Sequence, residues 1–254
     1  MKVKNSLAFL LVTMFSVGIC TLGTPSIQAQ PYPSHSIQLI IPIPAGGGGD
    51  INGRLLVEEL GKILGTQIVV VNKPGAADTL GTDAIARSKK DGYTIGYTSS
   101  AAMVYARIIN PDTVPYDPVK DFEPLGLHVF FPLAIAVQGS SPWKTFDAGK
   151  MRVLLMSRKF SIYPNVPTIT ELGYKQDLLT AWFALFAPAG IPEDVKKVLI
   201  PAIEKAINTP ELKAKIENRG YIADYKSPAE LKKLIVSDYE TARSLASKLG
   251  LGKQ

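Results

Sequence analysis

Cysteine is almost missing from this sequence: its one copy, Cys20, sits in the apolar stretch near the N-terminus. A chain processed beyond that stretch holds none, which excludes disulfides and thiolate metal sites and leaves packing to supply stability. Histidine is scarce too. His35 and His128 are the only two, and neither has a histidine or cysteine beside it in sequence to build a metal or nucleophile cluster; both read as structural or solvent-facing. Asp50, Asp78 and Asp83 fall where helix caps and first-turn acids are expected, so no acid/base pair is read from spacing. These shortages point away from an enzyme and imply no cofactor and no metal. Charge of one sign is in small excess, at +6 for the whole chain, or +4 once Lys2 and Lys4 are removed with no acid lost. That suits an anionic ligand. The cations are nevertheless interspersed with acids, as from Glu204 to Arg219, in the manner of a solvated helix face, and no nucleic-acid partner is indicated.

Long apolar runs are equally few. The main uncharged one, Ser6 to Gly23, follows the basic start Met1-Lys2-Val3-Lys4-Asn5 and precedes Thr24-Pro25-Ser26-Ile27-Gln28-Ala29-Gln30. That is the build of a secretory signal peptide, with cleavage expected after Ala29. A membrane anchor needs roughly 20 apolar residues, for which the run is marginal. Lipidation at Cys20 is the other alternative, and it would want a small residue where Ile19 stands. Residues 1–29 are therefore read as signal peptide and the rest as periplasmic, enough chain for one large domain or two small lobes.

From Ser36 onward the pattern alternates. Ile37-Gln38-Leu39-Ile40-Ile41-Pro42-Ile43 reads as a buried strand that ends at Pro44 and the glycines Gly46 to Gly49. Ile51, Leu55, Leu56, Leu60 and Ile63 then recur at helical spacing, with Asp50 placed to cap the start and Gly65 to close the end. Gln67 to Val71 and Thr94 to Thr98 are further strands, each followed by a turn and a helical pattern, the last from Ala101 to Ile109. Alternating β and α elements imply an α/β chain with a parallel, layered sheet. Asn110 to Pro124 reads as a crossing segment, Leu125 to Val137 as renewed strand, and Met151–Met156 and Trp182–Ala187 as two more. Thr168 and Glu171 have capping-box spacing for a short helix closed by Gly173. The C-terminal third reads as helical, with Pro192, Pro210 and Pro228 at helix starts, Thr209 and Ser227 as caps and Glu230 completing a capping box.

Three strand ends carry residues suited to an anion. The loop Pro44-Ala45-Gly46-Gly47-Gly48-Gly49-Asp50 brings backbone N–H groups to a helix N-terminus, the usual way of holding negative charge, or it is simply a tight connection. It is neither a nucleoside-phosphate loop, lacking the following Gly-Lys-Ser/Thr, nor a dinucleotide fingerprint, which would need glycine at Ile51. Lys73-Pro74-Gly75-Ala76 stands at the same place one βα unit later, and Ser99-Ser100 at the same place again. Three such ends can face one crevice. The Ser99 and Ser100 hydroxyls are equally suited to donating to a carboxylate and to capping the next helix.

These motifs resemble the solute receptors of tripartite tricarboxylate transporters. The resemblance covers Tyr32-Pro33, the Ala-Gly-Gly loop with Asp50 and Arg54, Asn72-Lys73-Pro74-Gly75-Ala76, Asp91-Gly92-Tyr93-Thr94, and Pro115-Tyr116-Asp117-Pro118 with Lys120-Asp121-Phe122. It resumes at Ala148-Gly149-Lys150-Met151-Arg152, runs through Pro164-Asn165-Val166-Pro167-Thr168, and is strong again from Trp182 to Gly190. It implies an exported, type II-like periplasmic binding fold that delivers small di- or tricarboxylates to membrane permease subunits. It also implies a ligand held by backbone amides, with Pro44, Ala45, Gly46 and Gly47 on a first loop, Lys73, Pro74, Gly75 and Ala76 on a second, and Ser99 and Ser100 on a third. Trp182 and Phe183 either border the cleft or pack.

Two departures from the family pattern stand out. Between Phe146-Asp147 and Ala148-Gly149, family members carry a segment of the second lobe that this chain lacks. The expected architecture is thus one near-complete βα lobe, residues 30–109 and 183–254, with 110–182 a residual second lobe and crossing strands. The family also continues its Pro-Gly-Ala motif with glycines, where Ala77 and Asp78 stand here; Asp78 either repels an anion or caps the next helix. The expected activity is carboxylate binding for transport, with a non-transporting docking or sensor-partner protein, or a vestigial receptor, as the alternative.

Overall fold

The structure is a computed structural model that describes residues 31–138, 151–174 and 181–251. Leader and gap junction, at 1–29 and Asp147–Ala148, lie outside these. In chain order the elements are β1 (Ile37–Ile41), α1 (Gly48–Leu64), β2 (Ile68–Asn72), α2 (Thr79–Ala86), β3 (Thr94–Ser99), a π-helical turn (Ala101–Tyr105) running into α3 (Ala106–Ile109), β4 (Phe122–Phe131), β5 (Ala134–Gln138), β6 (Met151–Met156), β7 (Ala181–Pro188), α4 (Glu193–Ile207), α5 (Pro210–Glu217), β8 (Ile222–Lys226) and α6 (Pro228–Lys248).

β1 and β2 form where aliphatic residues run together and β3 where the β-prone Thr94, Ile95, Tyr97 and Thr98 do, and their pairing follows the βα alternation. β1 lies parallel to β2 and to β3, in register Ile37↔Ile68 and Leu39↔Ile95. β7 then pairs antiparallel with β3 and β4, and β4 antiparallel with β8, completing a six-stranded sheet ordered β2-β1-β3-β7-β4-β8. Alternating residues send side chains to opposite faces, so a central strand must be apolar on both. On one face Leu39, Ile41, Leu185 and Val129 meet Leu56 and Leu60 of α1 and Leu199 and Ile203 of α4. On the other, Ile40, Phe130, Trp182 and Phe186 meet Ile85 of α2, Met103, and Leu231 and Ile235 of α6. The sheet is thus a middle layer between two helical ones.

Several expectations need correction. The apolar run from Leu125 to Val137 is two strands rather than one, because Pro132 has no N–H to give a ladder and β5 leaves to pair with β6 in a separate ribbon. β8 interrupts the helical C-terminal third; as a half-buried edge strand carrying Asp224 and Lys226 it has a weak apolar signal. Thr168 and Glu171 do form reciprocal bonds, with the Thr168 N–H donating to Glu171 Oε2 at 2.7 Å and the Glu171 N–H to Thr168 Oγ1 at 3.2 Å. They close a run of turns instead of a helix. Asp50 is the third residue of α1, whose N-cap is Gly47, and Pro192 is the N-cap of α4 instead of its first residue. The Ser227–Glu230 capping box forms as expected.

Candidate ligand-binding site

β2, β1 and β3 are neighbours, so the loops leaving their C-terminal ends share one rim of the sheet. Pro44, Ala45 and Gly46 are exposed there, as are Lys73, Pro74, Gly75 and Ala76. The first loop is locked by Asp50, which is 2% exposed. Its carboxylate accepts the Gly46 N–H at 2.9 Å, Arg54 Nε at 3.0 Å and Asn72 Nδ2 at 2.9 Å. Asn72 also donates to the Ile43 carbonyl and accepts from Arg54, so the end of β2 is tied to the loop after β1. Burial pushes the Asp50 carboxyl up, but the bonds from Arg54, Gly46 and Asn72 outweigh it and hold the group below its ordinary range. Gly46 has φ +83°, open only to glycine without strain. The Gly46 N–H is engaged by Asp50 and the Gly47 N–H by the Pro44 carbonyl, while among the described residues the N–H groups of Ala45, Gly48 and Gly49 make no hydrogen bond, so this loop is a partly open row of donors.

The second loop is more open. Among the described residues, the N–H groups of Gly75, Ala76, Ala77 and Asp78 make no hydrogen bond, while Thr79 Oγ1 and Leu80 N–H tie the turn to the start of α2. Ala76, Ala77 and Asp78 have φ of 48°, 51° and 71°, three consecutive left-handed residues without a glycine among them. Each such residue costs roughly 1 kcal/mol or more. Ala77→Gly is therefore expected to stabilise the fold by about 0.5–1 kcal/mol, net of the freedom glycine adds to the unfolded chain. A urea midpoint unchanged or lowered by that substitution would contradict the strain. Asp78 is the N-cap residue of α2, yet its side chain makes no cap and Oδ2 accepts from Ser99 Oγ at 2.9 Å. Burial raises its pKa, partly offset by the Ser99 bond. A cleft of about 160 Å³ opens beside this loop, lined in part by Ala76, Ala77, Thr79, Tyr105 and Ile109.

The remaining candidates turn inward. Ser99 and Ser100 are buried, the first donating to Asp78 and the second accepting the Trp182 N–H at 3.3 Å. Trp182 is fully buried and its indole donates to Asp238 Oδ2 at 2.9 Å, so of its two readings packing holds. Phe183 stacks on Tyr97 and lies where a Cβ on Gly49 would fall, 2.4 Å from its ring. It packs under the start of α1. His35 stacks on Tyr93 at the surface, and His128 is buried with Tyr97. No group of three metal-ligating side chains occurs among the described residues. The lock of Asp50, Arg54 and Asn72 went unread as a unit; its one local signal is the i, i+4 spacing of Asp50 and Arg54.

The family model described as the tripartite tricarboxylate transporter family receptor matches residues 53–148 and again 146–251. The chain belongs to this family. It is 25% identical to Protein BugT of Bordetella pertussis, over 84% of this chain and 93% of that one. A UPF0065 protein of Bordetella bronchiseptica is 41% identical over 123 residues, 48% of this chain and 36% of the relative. Among solved structures, the periplasmic binding protein BugD superposes with a TM-score of 0.75 at 22% identity, covering 88% of this chain and all of that one. MatC of Rhodopseudomonas palustris with bound malate gives 0.72 at 19%, covering 84% and 99%, and an R. palustris protein with adipate gives 0.76 at 18%, covering 87% and 99%. These place the fold in the type II-like periplasmic binding class. Relative to these matches the chain has an internal gap. The two family matches meet at 146–148, and the BugT alignment spans 304 positions while taking in 84% of a 254-residue chain, so about 90 positions have no counterpart here. No helix among the described residues is long and apolar enough to cross a membrane.

Proposed function

We propose that this receptor binds a small di- or tricarboxylate in the periplasm and presents it to the permease subunits of a tripartite transporter. The observation that carries the reading is the row of unengaged N–H groups from Gly75 to Asp78, at the N-terminus of α2 and beside the exposed cation Lys73. Pro44 to Gly47 form the facing wall, held in place by Asp50, and Ser99 orients Asp78 from below. Residues 30–109 and 183–254, joined in one sheet by the crossing strand β4, make the binding lobe, and the rest of 110–182 is the residual second lobe. The shortening leaves the ligand covered on one side only and weakens closure around it.

Thermal unfolding of the chain from Gln30, with and without a panel beginning with malate and adipate, tests the proposal. Binding to the folded state alone raises the midpoint by about 5–10 °C for a ligand at a hundred times its Kd. A cooperative transition that no carboxylate moves would leave the docking or vestigial alternative. Asp78 gives a second test, since its ionised carboxylate sits beside the donors an anion needs. Asp78→Asn is expected to tighten carboxylate binding about 3- to 10-fold at pH 7.5. Because burial raises the Asp78 pKa, the advantage should shrink as pH falls toward the carboxylate range and the native acid takes up its proton. Equal affinities at pH 7.5 would remove Asp78 from the site.

A further inference from the structure

The ribbon of β5 and β6 lies outside the main sheet, and its two edges differ. β6 is covered at Met156, whose N–H donates to the Pro167 carbonyl and whose own carbonyl accepts the Ile169 N–H. β5 pairs with β6 alone among the described residues, and four of its five residues are exposed. Ile135 is 53% exposed and Leu133, just ahead of it, 43%. The strand Ala134-Ile135-Ala136-Val137-Gln138 has no charge, glycine or proline. Edge strands that stay unpaired carry such residues to repel or misalign a second strand. A two-stranded ribbon is also marginal by itself and is stabilised by further strands.

The chain's own sequence is short at this place. The family match breaks between β5 and β6, and about 90 positions of the BugT alignment have no counterpart here. What remains is an uncharged edge, unpaired among the described residues and complementary to itself.

We propose that β5 pairs antiparallel with β5 of a second copy about a two-fold axis at Ala136, joining two ribbons into one four-stranded sheet. In that register Ile135 stands opposite Val137 of the partner subunit and Ala134 opposite Gln138 of the partner subunit. The small Ala136 lies on the axis and no like charges meet. Ile135 and Val137 share one face, so the joined sheet gains an apolar strip across the axis. The contact is isologous and closes at two copies. Two five-residue strands make a small interface, well under the roughly 1,200 Å² of stable complexes, so association should depend on concentration. The chain's net positive charge opposes it, and added salt should strengthen it.

Sedimentation velocity of the chain from Gln30, which keeps every described element, provides the test. A monomer at about 1 µM should give way to a dimer by about 500 µM, and Ile135→Lys should remain monomeric throughout. Ala136→Cys gives a readout that does not depend on how well the lysine variant folds. That chain has no other cysteine, and mild oxidation should convert most of it to a covalent dimer, whereas Asn165→Cys, exposed on the turn that leads to the covered edge of β6 and so away from the proposed axis, should not cross-link above background. A monomer at every concentration overturns the proposal. So does a dimer that survives Ile135→Lys and fails to cross-link through Ala136→Cys, or a monomer whose β5 amides become protected only by permease-bearing membranes.

Discussion

Lowering the pH from 6.5 to about 3 is expected to remove about 4 kcal/mol of folding stability through His128 alone. This imidazole is fully buried on β4. Its Nδ1 lies 2.9 Å from the Tyr97 hydroxyl, and Nε2 has no hydrogen-bond partner. Among the described residues no carboxylate faces the ring to favour a cation, and burial holds its pKa down to about 3. The unfolded chain takes up the proton near 6.5 and the folded one does not until about 3. Between those values the unfolded state binds more protons, so the contribution is complete above pH 6.5 and is lost as pH falls. Asp78, whose pKa is raised, acts in the opposite sense, while Asp50 and Asp117 lose their contributions only below the ordinary carboxylate range. Across the window from pH 6.5 to 4.5 the Asp50 and Asp117 contributions stay intact, and only Asp78 among these offsets part of the His128 loss. Stability from urea titrations should fall there by about 2–3 kcal/mol in the native protein, and His128→Asn should remove most of that slope. Parallel curves for the two proteins would refute the assignment.

Much of the fold was legible because its signals are local. The runs Ile37–Ile41 and Ile68–Val71, the glycine or proline stops after them and the helical spacing of Leu56 and Leu60 all follow from side-chain period and backbone restriction. The Ser227–Glu230 box is as local as a signal can be, and it formed. What escaped depends on distant partners. β8 is a strand because β4 offers it an edge at Val129↔Ala223, and nothing in Ile222 to Lys226 announces that. The Thr168–Glu171 box is indifferent to whether helix or turn follows.

The candidate site divides in the same way. The three loops were found as strand ends, but which N–H groups remain open was not, since Asp50 reaches back to Gly46 and across to Asn72 only in the folded chain. Ala76-Ala77-Asp78 reads as an ordinary helix start, and its left-handed backbone is imposed by the need to turn sharply before α2. Ser99 faces the interior because β3 is buried on both faces, and Ser100 follows it inward at the start of the π-helical turn. No local rule decides between a hydroxyl offered to ligand and one offered to Asp78 or to the Trp182 amide.

Gly81→Ala should abolish carboxylate binding while costing about 1–3 kcal/mol of stability. Gly81 is the third residue of α2, and a Cβ there would lie 2.5 Å from the Lys73 carbonyl oxygen, 2.8 Å from Pro42 Cα and 2.9 Å from Pro42 Cβ. The first two are backbone atoms that cannot rotate aside, so the helix itself must retreat by roughly 1 Å to restore ordinary contact. Retreat carries the N–H groups of Gly75 to Asp78 away from the facing loop, because Leu80 N–H and Thr79 Oγ1 tie them to the helix start. It also stretches the buried bond between Thr82 Oγ1 and Thr98 Oγ1, now 2.7 Å. Within a helix, glycine to alanine by itself stabilises by roughly 0.5–1 kcal/mol, so any net loss measures the clash against an opposing gain. Calorimetric titration well below the variant's unfolding midpoint separates the two effects. Native affinity there, in a variant no less stable than the parent, would mean that the close seat of α2 against Pro42 and Lys73 does not position the site.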